Sequence, residues 1–350
     1  MTMETDMGVG KTAPLKTREI TALTKKLVEV SSPSGRENGV AELIAPRLRK
    51  NFDVRLQKVG DRYNVIALRG EPEIILTAHM DTVPGTLKIC ENKEFIYGRG
   101  SCDAKGAIAA MILAAEDAVT YGASNFGLVF DVGEEDSFDG VMNAVSTLNP
   151  KLVVLGEPSS LNLVTRQKGL LQLSITKKGK SAPASMPSRG VSAIELLTRS
   201  LNKLLSLKPT GKDEDWGQTM NIGTISGGTA PNVVADEAKA VIDIRTVSDN
   251  SAIFKTVSAV LGGGIVKDLD FQPSVSDAGC LPEILGVRTA VMPYFTEMYF
   301  WGKKAKAVVL GPGNYSVAHT NKEKVSKREI LTAKEKYLKI LTDARVRDML

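Results

Sequence analysis

Short, continuous apolar runs alternate with amphipathic stretches along the first half of the chain, a pattern that predicts βαβ units on a largely parallel sheet. Arg18 to Val30 (REITALTKKLVEV) has the spacing of an amphipathic helix. Asn38 to Lys50 has it too, with Pro46 expected to kink or interrupt the turn it enters. Buried-strand runs follow at Asn64–Leu68, Glu73–Thr77, Gly127–Val132 and Leu152–Leu155, and the apolar stretch Ala104 to Val119 reads as a helix between them. Near the C-terminus, Ala305–Leu310 is another buried-strand run, and a closing helix is expected from about Lys327 to Ala344.

The middle of the chain has a different rhythm. From about Lys168 it reads as strand, helix, two strands, helix and strand. That β-α-β-β-α-β order is the split, ferredoxin-like arrangement. The predicted architecture is therefore α/β: a mostly parallel sheet flanked by helices, interrupted by an inserted ferredoxin-like α+β domain. The expected boundaries are 1–165 and 278–350 for the catalytic domain and 166–277 for the insert, with residues 1–16 a loose polar tail.

Chemistry collects at the ends of the apolar runs. IILTA leads into His79 and Asp81, GLVFDVG into Glu134 and Glu135, LVVLG into Glu157, and VVLGPG, a few residues on, to His319. In open α/β sheets ligands bind beyond the carboxyl ends of the strands, so these residues are expected on one rim. Asp103 stands just before the Ala104–Val119 helix, where a carboxylate serves as an N-cap, as a ligand, or as both. The chain has only two histidines, and both lie among these carboxylates. Imidazole and carboxylate together suit zinc, with cobalt or manganese as alternatives. Two ions bridged by one carboxylate can activate water and polarise a carbonyl together, given a further carboxylate to carry the proton. Glu134 and Glu135 can supply one ligand and one base.

Bulk composition narrows the alternatives. With 350 residues, 43% hydrophobic and 24% charged, the chain has the make-up of a water-soluble enzyme with one or two cores. A net charge of +5, scattered rather than clustered, gives no support for nucleic-acid binding. No apolar run approaches the roughly 20 residues needed to span a bilayer. Cys90, Cys102 and Cys280 show no CxxC spacing, which argues against a disulfide framework and fits a reduced, cytoplasmic setting. The N-terminal GVGKT is not a phosphate loop, because Thr5 stands where that loop needs its first glycine.

The segments TAHMDTVPG, GRGSCDAKGA, GEED, LGEP and GPGNYSVAHTNKE resemble, in this order, the acetylornithine deacetylase and succinyl-diaminopimelate desuccinylase family of di-zinc metallo-exopeptidases. The resemblance runs from about residue 18 to 340. It implies that His79 and Glu157 hold one zinc, His319 and Glu135 a second, and Asp103 bridges them. Asp81 would orient His79, and Glu134 would be the general base and acid. It also implies a catalytic α/β domain whose inserted lid often forms a homodimer. Asn232 and Arg245 would touch substrate, the arginine by pairing with a carboxylate; the other reading of Arg245 is a surface strand residue beside an acid. Thr296-Glu297 matches a segment near the site. The Gly311-Pro312-Gly313 loop lines the pocket or simply turns the chain.

The expected function is release of an acyl group from a small N-acyl amino acid, of the acetylornithine deacetylase or N-acyl-lysine hydrolase kind. The alternatives are a di- or tripeptidase or carboxypeptidase, the desuccinylase, a weakly active or non-catalytic relative, and a metal-free binding protein. The chain departs from the family at Pro183, where the lid histidine thought to donate to the oxyanion would stand. Proline offers no donor there, and loss of one such donor typically costs about 10²–10³ in rate. Pro183→His is expected to leave metal content unchanged and to preserve or raise kcat. A large fall in kcat with the fold intact by circular dichroism would contradict this.

Overall fold

Strands buried on both faces need no polar alternation, and the central strands of the first compact unit have none. In the computed structural model, which describes residues 12–207 and 217–350, Ile74–His79, Phe126–Asp131 and Leu152–Leu155 are buried along their whole length. This unit comprises the chain up to Thr165 with Ser276–Ala290 and Thr296–Leu350. Its sheet runs in the order Asp53–Val59, Arg62–Arg69, Phe126–Asp131, Ile74–His79, Leu152–Leu155, Lys306–Val309, Leu163–Gln167.

The middle of that order is parallel. Antiparallel pairs flank it, among them the hairpin of Asp53–Val59 with Arg62–Arg69, whose first strand the apolar pattern did not reveal because most of it is exposed or half-buried. Register decides where the strands stop. Thr77 pairs with Leu155 and His79 with Asp131, while Leu155 pairs with Val309. The four strands thus end within two residues of one another, and the loops after them leave from one rim.

Helix Gly106–Thr120 is apolar on nearly every side, and its residues from Gly106 to Ala115 are all buried. A helix of that composition must be enclosed. It packs against Lys327–Thr342 and Thr12–Glu29, and its many alanines permit close approach. Helix Asn38–Leu48 contains Pro46 without interruption, because the proline falls in the last turn and the helix ends two residues later. The backbone is already helical from Thr12, so the expected loose tail ends earlier than residue 16; Pro14 lies in the first turn, where N–H groups lack helical partners anyway. Apart from Thr12, the GVGKT segment lies outside the described residues. Among the described residues no helix is long and apolar enough to cross a membrane.

The second unit, Arg166–Val275 with Val291–Phe295, has the predicted split arrangement. Its antiparallel sheet has the order Thr219–Gly227, Glu237–Thr246, Gly169–Lys178, Ile265–Phe271. Strict alternation in Glu237–Thr246 turns Ala238, Ala240, Ile242 and Ile244 inward. They meet Leu197, Leu201 and Leu204 of helix Ala193–Leu205 and Ile253, Val257 and Leu261 of helix Asn250–Leu261. Ser192 caps the first of these helices by accepting the Glu195 N–H at 3.2 Å.

One buried hydrogen bond ties the closing helix to the rim. The fully buried Tyr337 hydroxyl donates to the Leu310 carbonyl at 2.5 Å, just past strand Lys306–Val309. Tyr337→Phe is expected to destabilise the protein by about 1–3 kcal/mol, because it removes one partner of a buried pair. Urea unfolding reads this as a lowered midpoint with an unchanged slope.

Candidate metal centre

The residues that the strand-end argument singled out do meet. His79 ends its strand, buried, with Nε2 3.0 Å from Asp103 Oδ1 and 3.7 Å from Glu157 Oε1. His319 places its Nε2 2.8 Å from Glu135 Oε1 and 3.1 Å from Asp103 Oδ2. Asp103 therefore offers one oxygen to each imidazole. Donor atoms of His79, Asp103 and Glu135 all lie within 4.8 Å of one another. His319 is in the left-handed region at φ 60°, a conformation that non-glycine residues adopt at a cost and that is common where a side chain must be aimed.

Asp103 is not an N-cap. Its backbone is extended (φ −128°, ψ 93°), and the helix beyond it begins at Gly106 with no side-chain cap. Asp81 faces His79 on the side away from Asp103. The nearest atom to His79 Nδ1 is the main-chain oxygen of Asp81 at 3.0 Å, with the carboxylate at 3.4 Å. That carboxylate accepts the main-chain N–H groups of both Glu134 and Glu135, each at 3.1 Å, and the Ser34 hydroxyl at 2.7 Å. The buried Asp81 thus fixes the two glutamates as well as facing the imidazole.

Charge is unbalanced here. Burial pushes Glu157 up to about 8, Asp103 and Glu135 adding to the effect against His79. Burial and Glu157 raise Glu134 well above the usual carboxylate range. Burial alone would lower His79, yet Glu157, Asp103 and Asp81 carry it well above its ordinary value. Asp103 and Glu135 lift His319 to about 10. Asp103 itself would be raised by burial, but the two histidines hold it well below normal. A buried site in which carboxylates outnumber imidazoles calls for positive charge. Two donor sets sharing Asp103, one with His79 and Glu157 and one with His319 and Glu135, fit two zinc ions in the chemistry of their atoms.

Close approach of the loops explains the glycines. A Cβ on Gly311 would lie 2.3 Å from the Glu157 carbonyl, and one on Gly313 2.5 Å from Cys102 Sγ. The Gly311-Pro312-Gly313 loop is therefore packed against both neighbouring loops rather than merely turning. Cys102 is buried, and burial with Asp103 and Glu323 pushes its thiol up, so it is no nucleophile.

Behind the rim, Glu297 is buried near enough to Asp131 for the two carboxyl groups to act on each other. Burial raises Glu297 well above the usual carboxylate range, Asp131 adding to the effect, and raises Asp131 to about 7. The sequence pointed to Thr296-Glu297 but not to Asp131, whose strand position looked like core.

In the second unit the Arg245 guanidinium grips Asp243 two residues earlier on its strand, at 2.8 and 3.2 Å. This is the arrangement expected of a surface strand residue beside an acid. Asn232 is exposed, and its carbonyl accepts the Ala184 N–H at 2.9 Å, next to the Pro183–Val233 bridge. Pro183 therefore stands on a short paired segment, where its missing N–H leaves the ladder to Ala184 and Val234.

This chain is similar to known proteins. Residues 165–262 match the family model for a peptidase dimerisation domain, M20_dimer. A peptidase M20 domain-containing protein of Schizosaccharomyces pombe is 33% identical over 321 residues, covering 87% of this chain and 80% of the relative. A probable carboxypeptidase of Aspergillus flavus is 30% identical over 371 residues, covering 91% and 88%. Among solved structures, a tripeptidase from Staphylococcus aureus superposes with a TM-score of 0.77 at 22% identity, covering 93% of this chain and 97% of that one.

Asp81→Asn tests the double role of that carboxylate. The amide turns one acceptor into a donor facing N–H or hydroxyl donors, so the Glu134-Glu135 turn is expected to shift. Zinc affinity should fall about 10–100-fold, the usual cost of disturbing a ligand's support. Competition against a chromophoric chelator measures it.

Proposed function

The chain belongs to the M20 peptidase family and is a metallohydrolase of amide bonds, and we propose that it is a two-metal exopeptidase of the carboxypeptidase type, acting on short peptides. The observation that carries the two-metal reading is Asp103, with one oxygen against each histidine. In this reading His79, Asp103 and Glu157 hold one zinc, and His319, Asp103 and Glu135 the other. When bound, the ions supply Lewis acidity toward the scissile carbonyl and the attacking water.

The chain's own residues do the rest. Glu134 is not among the groups that hold the two imidazoles, and its main chain is fixed by Asp81. Its carboxylate takes the water proton and returns it to the leaving amine. Asp81 keeps the Glu134-Glu135 turn in place, and partial burial of Glu134 limits competing solvent.

Carboxypeptidase action is favoured by the names of the fungal relatives. Release of an acyl group from an N-acyl amino acid is the second reading, supported by the five ordered motifs; it is the same bond type with a shorter acyl side. The matched dimerisation domain supports a homodimer formed through the second unit.

The decisive assay supplies zinc- or cobalt-loaded protein with N-blocked dipeptides, free dipeptides and N-acetyl-L-ornithine. Amine release from the N-blocked dipeptides is expected to exceed the others, and Glu134→Gln should reduce it by about 10²–10⁴ with both metals retained. Turnover confined to N-acetyl-L-ornithine would replace the peptidase reading by the deacylase. Full activity in Glu134→Gln would remove that residue from its role.

A further inference from the structure

Glu323 lies four residues beyond His319 and is only 2% exposed. One carboxylate oxygen accepts the main-chain N–H groups of Cys102 at 3.2 Å and Asp103 at 3.3 Å. The other accepts from the Arg99 guanidinium at 2.6 Å. Its own carbonyl accepts the Gly98 N–H at 3.4 Å. Beyond it, strand Lys324–Ser326 pairs antiparallel with Phe95–Tyr97, with Lys324 opposite Tyr97. One buried side chain therefore joins the turn that carries His319 to the loop that carries Asp103, across more than 200 residues of sequence.

A carboxylate so deeply buried is costly unless it is paired and fully hydrogen-bonded. Here one cation and two main-chain donors satisfy it, and both donors belong to the loop whose aspartate faces the two histidines. Neither oxygen of Glu323 is directed at an imidazole, so its effect passes through Asp103.

We propose that Glu323, held by Arg99, is the positioning residue that sets Asp103 against His319 and so determines affinity for the second metal ion. The inference rests on the two-metal reading above. Hydrogen bonds that fix a ligand's main chain keep its oxygens in place without ordering at the moment of binding, and disturbing such support typically costs about 10–100-fold in metal affinity.

The test is cobalt titration of the metal-free full-length protein, followed by visible absorption, with thermal melting alongside. Wild type should take up two ions. Glu323→Gln keeps the shape and an acceptor for the two N–H groups but sets an amide against the guanidinium. It is expected to keep the first ion and to bind the second about 10–100-fold more weakly, with kcat falling more than KM rises. Arg47→Met, which breaks a pair with Glu116 away from this loop, should lower the melting temperature and leave both affinities unchanged. Arg99→Gln leaves every acceptor atom of Glu323 in place and should weaken the second ion in the same direction, which keeps the test available if Glu323→Gln does not fold. Wild-type affinity for both ions in Glu323→Gln, or in Arg99→Gln where it replaces that variant, overturns the inference. So does an equal loss in Arg47→Met. Uptake of fewer than two ions by wild type would instead overturn the two-metal reading on which it rests.

Discussion

Buried negative charge that must be neutralised is the constraint around which the first unit is arranged. Asp103, Glu135 and Glu157 converge on His79 and His319, with Glu134 within their electrostatic reach, and burial raises Glu134 and Glu157. Protonated histidines offset part of this, which is why both are raised. Two imidazoles cannot neutralise four carboxylates, and buried carboxylates such as Asp103 and Glu157 do not persist without compensation. Divalent cations held there would remove the conflict, leaving the imidazoles neutral and the glutamates anionic as ligands.

The scaffold makes this crowding possible by bringing backbones unusually close. Strand ends within two residues of one another put His79, Glu157 and the Glu134-Glu135 turn on the same rim. Asp103 arrives from the loop before an alanine-rich buried helix, and His319 from a loop whose glycines let it pack against its neighbours. The cost of these approaches is met by polar support from main-chain donors. Asp81 takes the two N–H groups of Glu134 and Glu135, and Glu323 takes those of Cys102 and Asp103. Each carboxylate behind the rim thus fixes a main chain that carries a residue in front of it.

That two-layer arrangement explains what could be read from the sequence. The strands were legible because their residues are buried on both faces, leaving unbroken apolar runs, and the acids and histidines at their ends were legible by position. The insert was legible because its helices and strands keep their separate periods. What could not be read was support by main-chain hydrogen bonds. Nothing in the order of residues says that the Asp81 carboxylate faces two N–H groups, or that Glu323 reaches a loop some 220 positions earlier. The Asp103 cap failed because its backbone is extended, with the helix starting only at Gly106, which no local capping preference anticipates. Asp131 was hidden by its place in an apolar strand, and the early helical start at Thr12 by the polar character of the residues around it.

The same division bears on specificity. The metal-facing residues define a reaction on an amide carbonyl and are indifferent to what lies on either side of that bond. Choice between a peptide and an N-acyl amino acid therefore needs other groups. In the second unit, Arg245 is already paired with Asp243, and recruiting it to a substrate carboxylate would require that pair to open. Pro183, by contrast, has nothing to offer a developing oxyanion through its side chain or its nitrogen. If Asp103 lies between two metal ions as proposed, the main-chain support that Glu323 gives its loop would bear directly on catalysis.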